Sequence, residues 1–261
     1  MASVSEGRPQ PSATRIQLCG RFVARVAGRR IEHELPGRQG RLLLAYLAVN
    51  RDRLAGRDEL AEALWRRALP SAPEPALSAL LSKLRRLLPE GALEGRGAIR
   101  LRLGGDTRVD VEAAREAIHR AEALIAARDW YTAIGPTLVA HNISQRRFLP
   151  GEEGDWIDEL RRELDEIQIR ALECTARRSL GIGGPEVALA ERASRRLTEL
   201  SPYRESSYAV LMEALETQGN VAEGLRVYEG LRRLLREELG AIPSPAVQRV
   251  HERLLSRDSV S

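Results

Sequence analysis

The chain has 261 residues, 43% of them apolar and 30% charged, a soluble-protein composition with length for two ordinary domains. No run approaches the roughly 18 uninterrupted apolar residues of a membrane-spanning helix, and the start, MASVSEGRPQPSAT, lacks the apolar core of a secretory signal. Charge divides unevenly: residues 1–105 carry a net +9 and residues 106–261 a net −5, which implies a nucleic-acid reader joined to a regulatory or partner-binding body.

Residues 1–14 read as a disordered leader. Residues 15–35 alternate apolar and polar, with Gly28 placed for a turn between short strands and Ile16, Leu18, Phe22 and Val26 facing one side. A compact apolar helix follows over Gly40–Asn50, burying Leu42, Leu43, Tyr46, Leu47 and Val49. A second helix covers Arg57–Arg67, with Leu60, Ala61, Leu64 and Trp65 inward.

The prolines of Pro70–Pro75 exclude helix interior, so the third helix is expected over Ala76–Leu88, on a stripe of Leu77, Leu80, Leu81, Leu84, Leu87 and Leu88. After Pro89 and Gly91 the alternation returns: Ile99, Leu101 and Leu103 point one way, Arg100 and Arg102 the other, with Arg96 in a glycine-flanked turn. Strands, three helices and a basic hairpin are the order of a winged helix.

From Val111 onward the pattern is helix after helix, over 111–127, 129–140, 152–180, 185–200, 203–218, 220–239 and 244–256. Val187/Val221, Ala188/Ala222, Leu197/Leu231 and Leu200/Leu234 match at an offset of 34, the period of tetratricopeptide-type helix pairs. The expected fold is thus mostly α: a winged helix-turn-helix over 15–105, an all-α tetratricopeptide-like domain over 106–256, and a tail over 257–261.

These segments resemble the Streptomyces antibiotic regulatory protein type of transcription factor, which joins an OmpR-type winged helix to a bacterial transcriptional activation domain. The carrying stretches are GRQGRLLLAYLAVNRDRLAGRDELAEALW, ALSALLSKLRRLL, and the run from Ser201 to Leu255 with its ELG…PSP ending. Pro73-Glu74-Pro75 and Leu80 depart from that pattern, at small or polar positions and at an aromatic one. With no receiver domain ahead and no GxxxxGK[ST] phosphate loop, the short stand-alone form is expected. The resemblance implies an activator that binds double-stranded DNA at repeated promoter elements, one protomer per repeat, and contacts RNA polymerase.

Under that resemblance, Ser78, Ser82, Lys83, Arg85 and Arg86 would face the major groove. Arg96, Arg100 and Arg102 would form a wing beside the minor groove, and Arg57, Arg38 and Arg41 would hold phosphates. The plain alternative for each is a solvated polar face. Trp65 reads as core rather than a stacking residue, and Cys19 and Cys174 as small buried hydrophobes.

No metal is indicated. His33, His119, His141 and His251 are far apart, and no elbow or dinucleotide fingerprint appears, so no enzyme is expected. Arg146, Arg147 and Phe148 lie in the one long irregular stretch, His141–Gly154. They could clamp and stack an anionic, nucleotide-type effector, or merely pair with Glu152, Glu153 or Asp155. Two rival functions follow: an effector-gated transcription factor, and a tetratricopeptide-like protein-binding adaptor. A cytoplasmic setting is expected throughout.

Overall fold

The computed structural model describes residues 14–65 and 70–258. The expected leader up to Ala13, the end of the second helix at Arg66-Arg67, and the tail beyond Asp258 lie outside the described residues. The chain divides into two compact units, one of residues up to Ala113 with Ile143–Leu164, the other of Ala114–Asn142 with the residues from Asp165 onward.

The first unit is a winged helix behind a small sheet. Strands β1 (Arg15–Gln17), β2 (Val23–Val26) and β3 (Arg29–Arg30) form antiparallel pairs, and β7 (Arg108–Val109) runs parallel to β1. Ala27 and Gly28 both have positive φ, 47° and 81°, the double left-handed turn that suits a two-residue hairpin. The inward side chains are Ile16, Leu18, Ala24 and Val26. Phe22, expected among them, is only half-buried, because Gly20 (φ 76°) bends the chain and resets the alternation before β2 begins.

Helix α1 (Gly37–Val49) buries Leu44, Ala45 and Ala48 as well as the expected Leu42, Leu43, Tyr46 and Leu47, so it is enclosed on nearly every side; Val49, expected inward, is half-buried at its end. β4 (Ala55–Gly56) leads into α2 (Arg57–Trp65), whose Leu60, Leu64 and Trp65 are core. Helix α3 starts at Pro73, three residues earlier than expected, and runs to Leu87. Pro73 and Pro75 sit in its first turn, where amides have no intrahelical acceptor and a missing N–H costs nothing. Leu77, Leu81 and Leu84 anchor it; Leu80 and Leu87 are half-buried. β5 (Leu93–Glu94) and β6 (Ala98–Leu101) form the wing hairpin in register Leu93↔Leu101, and β6 also pairs with β4.

The stretch Ile143–Leu164 packs in this unit. Cys19 and Phe148 form a β-bridge, and Phe148, 1% exposed, meets Trp156 edge-on at 5.9 Å. Trp156 in turn meets Tyr46 at 5.1 Å, and its Nε1–H donates to the Ala63 carbonyl at 3.2 Å. Arg161 donates to the carbonyls of Phe148, Leu149 and Glu152 at 3.1, 3.0 and 2.8 Å, so the irregular strand is held by its backbone.

The chain continues as α4 (Asp110–Ala126), α5 (Ile134–Ser144) and α6 (Asp155–Ile182). α5 begins five residues later than expected, because Arg128 (φ 57°) ends α4 and Asp129 caps a turn by accepting from Thr132 N–H at 3.3 Å. A 3₁₀ turn at Gly184–Glu186 precedes α7 (Val187–Leu200), α8 (Glu205–Thr217), α9 (Val221–Leu239) and α10 (Pro245–Asp258).

The second unit is a stack of paired helices with several small cores. Leu172, Ala176, Ala193, Leu197 and Val210 form one, and Met212, Tyr228, Leu231, Leu235, Val250 and Leu254 belong to another. Helices α7 and α9 start 34 residues apart, and of the matched pairs Leu197/Leu231 is fully buried at both positions. Ala188 and Ala222 are exposed, so that match carries no packing. Tyr228 stacks face to face on His251 at 3.7 Å. Cys19 and Cys174 are buried free thiols. Among the described residues no helix is long and apolar enough to cross a membrane.

Candidate nucleic-acid interface

The candidate interface comprises the start of α2, one face of α3 and the wing turn. Half of a capping box, a glutamate reaching back to a backbone N–H, fixes the first of these. Glu59, three residues beyond Gly56, reaches back to accept from the Gly56 N–H at 3.2 Å, and Tyr46 Oη–H donates to the same carboxylate. Arg53 donates to Glu59 at 2.5 Å, a hydrogen bond that holds its carboxyl well below the usual range, at about 2.

Arg57 therefore projects from a defined helix start. Its Nε donates to Glu74 Oε2 at 2.9 Å, Nη2 to Ser78 Oγ at 2.7 Å and Nη1 to the Arg96 carbonyl at 3.2 Å. Arg57, expected as a phosphate ligand, is held within the fold, because Glu74 and Ser78 on the first two turns of α3 lie within its reach. Ser78, expected in the groove, is its acceptor. Arg85 is likewise engaged, donating from Nη2 to the Gly95 carbonyl at 2.6 Å.

On the wing, Arg100 and Arg102 both donate to Glu94 Oε2, at 3.2 and 2.9 Å, so their charges meet a carboxylate across the hairpin. Arg100 is half-buried and Arg102 exposed. Of the two expected outward arginines, Arg100 thus lies opposite Glu94 in the hairpin register, and both share its carboxylate.

Ser82, Lys83, Arg86 and the Arg96 side chain are exposed, and among the described residues none of their side chains has an ion-pair partner. On α3, Ala79, Lys83 and Arg86 follow one another at helical spacing, with Ser82 beside them. Arg41 is exposed on α1, while Arg38 pairs with Glu152 at 2.5 Å. Trp65, 8% exposed, is core.

Of the suggested effector cluster, only the two arginines are at the surface. Phe148 is enclosed in the first unit's core and offers no face to a ligand. Arg146 and Arg147 are exposed, and the Arg147 carbonyl accepts from Gly20 N–H at 2.8 Å beside the Cys19–Phe148 bridge. A Phe within a polar loop looks the same in sequence whether it stacks a ligand or fills a core.

Sequence reasoning missed the acceptors. They are Glu59, three residues beyond Gly56, Glu74, 17 residues from Arg57, and Glu94, across the wing hairpin from Arg100. It also missed Asp110. Asp110 accepts from Leu18 N–H and Cys19 N–H at 2.9 and 2.8 Å and from Val111 N–H at 3.0 Å, tying the end of β1 to the start of α4. Burial pushes its carboxyl upward against those three donors.

Compared with known proteins, the chain is 33% identical over 221 residues to "Regulatory protein AfsR" of Streptomyces coelicolor, covering 84% of this chain and 22% of that protein. It is 26% identical over 235 residues to "Transcriptional regulatory protein EmbR" of Mycobacterium tuberculosis, covering 82% of this chain and 57% of that protein. It thus spans about a fifth of AfsR's length and little more than half of EmbR's. Among solved structures, Mycobacterium tuberculosis EmbR in complex with a low-affinity phosphopeptide superposes with a TM-score of 0.79 at 21% identity, over 94% of this chain and 65% of that one, which establishes the shared fold. Residues 109–255, more than half of the chain, match the bacterial transcriptional activator domain, and the chain belongs to that family.

Proposed function

We propose that this chain is a sequence-specific DNA-binding regulator that activates transcription, with an OmpR-type winged helix that lays α3 in the major groove and its wing beside the minor groove. The carrying observation is the exposed set Ser82, Lys83 and Arg86 on α3, next to a wing turn that presents Arg96, within the chain's basic part. Arginine reads a guanine edge through two hydrogen bonds, lysine holds phosphate or base, and the wing arginine adds sequence-independent attraction. The AfsR and EmbR names support regulation of transcription as the setting. The helical unit then serves as the surface for RNA polymerase or for a neighbouring protomer on a repeated promoter element.

Selection of bound DNA from a genomic pool, followed by footprinting, tests this reading. A recurring repeat should emerge. Arg86→Ala should relax discrimination at one position by about 1–3 kcal/mol, the usual worth of a bidentate base contact. Arg96→Ala should instead weaken specific and random DNA alike and lower the salt slope by about one phosphate equivalent. A pool with no enriched sequence sinks the proposal.

A further inference from the structure

Two arginines counted from sequence as DNA ligands land on successive carbonyls of one turn. Arg57 reaches the Arg96 carbonyl and Arg85 the Gly95 carbonyl, and Arg57 also holds Glu74 and Ser78 on α3. The regular pairing of the wing hairpin stops at Glu94↔Arg100, and residues 95–97 beyond it are exposed. Gly95 has φ 88°, and a Cβ there would lie 1.9 Å from the Ala98 carbonyl oxygen, so the turn is closed tightly around glycine. What fixes this tip against α3 is the pair of guanidinium groups.

We propose that Arg57 and Arg85 are positioning residues that lock the wing tip to α3 in the free protein, so that Arg96 and the exposed α3 residues Ser82, Lys83 and Arg86 are presented as one preset surface. The inference rests on the DNA-binding reading. A planar guanidinium suits the task, because its five N–H donors leave in fixed directions and one side chain can hold three segments at once. Ser78 and Arg85 fall on the row of α3 next to the wing, at i and i+7, whereas Ala79, Lys83 and Arg86 form the adjoining row. The helix thus divides labour: one row is tied to the wing, the other stays open to the groove. Glu74 matches the charge of Arg57 at 2.7 Å, so Arg57 adds little net attraction for phosphate.

The experiment has two arms. In the free protein, backbone order parameters of the Arg96 and Gly97 amides should fall in Arg57→Ala and in Arg85→Ala while thermal midpoints stay close to wild type. Arg57→Lys should behave like Arg57→Ala, since a compact ammonium lacks the spread planar fork that reaches three separated acceptors. In the second arm, DNA affinity is titrated against salt. Ordering a loose segment on binding costs affinity, so each variant should bind the selected site about tenfold more weakly at an unchanged salt slope. A slope reduced by about one phosphate equivalent makes Arg57 a direct phosphate ligand and overturns the proposal. Unchanged order parameters overturn it too, whatever happens to DNA. If wild-type protein selects no DNA, the functional reading fails, and the order parameters alone decide the lock.

Discussion

The two units differ in how far along the chain their longest polar ties reach. In the first, polar ties join parts of the chain far apart in sequence: Arg38 to Glu152 over 114 residues, Trp156 to Ala63 over 93, Asp110 to Cys19 over 91 and Arg51 to Glu112 over 61. In the second, many pairs close within one helix, such as Arg177–Glu173, Arg195–Glu191 and Arg232–Glu229. The longer ones reach a neighbouring helix, as Arg253–Glu213 over 40 residues and Arg170–Glu122 over 48 do. The first unit is therefore a closed globular body in which a single change is felt widely. The second approaches a one-dimensional stack in which each helix answers to its neighbours.

The sharpest test of that contrast is Phe148→Ala. The residue lies 1% exposed against Trp156 and bridges to Cys19, although more than a hundred residues separate it from the strands it supports. Removing a buried phenylalanine costs about 3–5 kcal/mol, enough to unfold a marginal domain. Residue-resolved hydrogen exchange should show protection lost across β1, β2 and α1 while α8 to α10 remain protected. Loss spread evenly over both units would erase the distinction.

Much of the fold was legible because its signals are local. Leucine spacing placed α3 and the turn glycines placed the hairpins. Helical periodicity placed α6 to α10 to within a few residues. The start of α3 was misjudged because proline was treated only as a helix breaker, although the first turn tolerates it. Phe148 was misjudged because burial by a distant strand leaves no mark on its own neighbours in sequence. The candidate interface was legible by residue type and by element. Which arginines are free was not, since Glu74 and Glu94 meet them only after folding.

A second test stays inside the helical unit and asks whether packing there is as local as the contrast requires. On α6, a Cβ added to Gly181 would come within 2.5 Å of the half-buried Trp130 ring, which would have to shift to admit it. On α9, Gly230 has open space around the same position. Gly181→Ala should therefore destabilise by about 1–3 kcal/mol, the usual cost of overpacking. Gly230→Ala should stabilise by up to about 1 kcal/mol through helix propensity alone. Denaturant melts check both signs, and equal effects at the two glycines would contradict the packing described.

The smallest effect concerns the half capping box at α2, where the first unit's long-range order meets its candidate interface. Glu59 is held at about 2 by its hydrogen bond from Arg53, with Tyr46 and the Gly56 N–H adding to it. Its pKa is lowered on folding, so the unfolded chain takes up the proton first as pH falls. The stability that Glu59 contributes is thus fully present above its ordinary value of 4.5 and is lost progressively as pH drops toward about 2. Glu59→Gln cannot titrate, so the variant should be modestly less stable at neutral pH and should show a flatter acid limb between about pH 5 and pH 2. Because this carboxylate is 36% exposed, solvent screens part of the effect, and a modest change in slope is expected rather than a collapse. Thermal midpoints measured across that range decide it. Parallel acid limbs for the two proteins would mean that Glu59 does not carry the charge that sets Arg53 and, through the start of α2, Arg57.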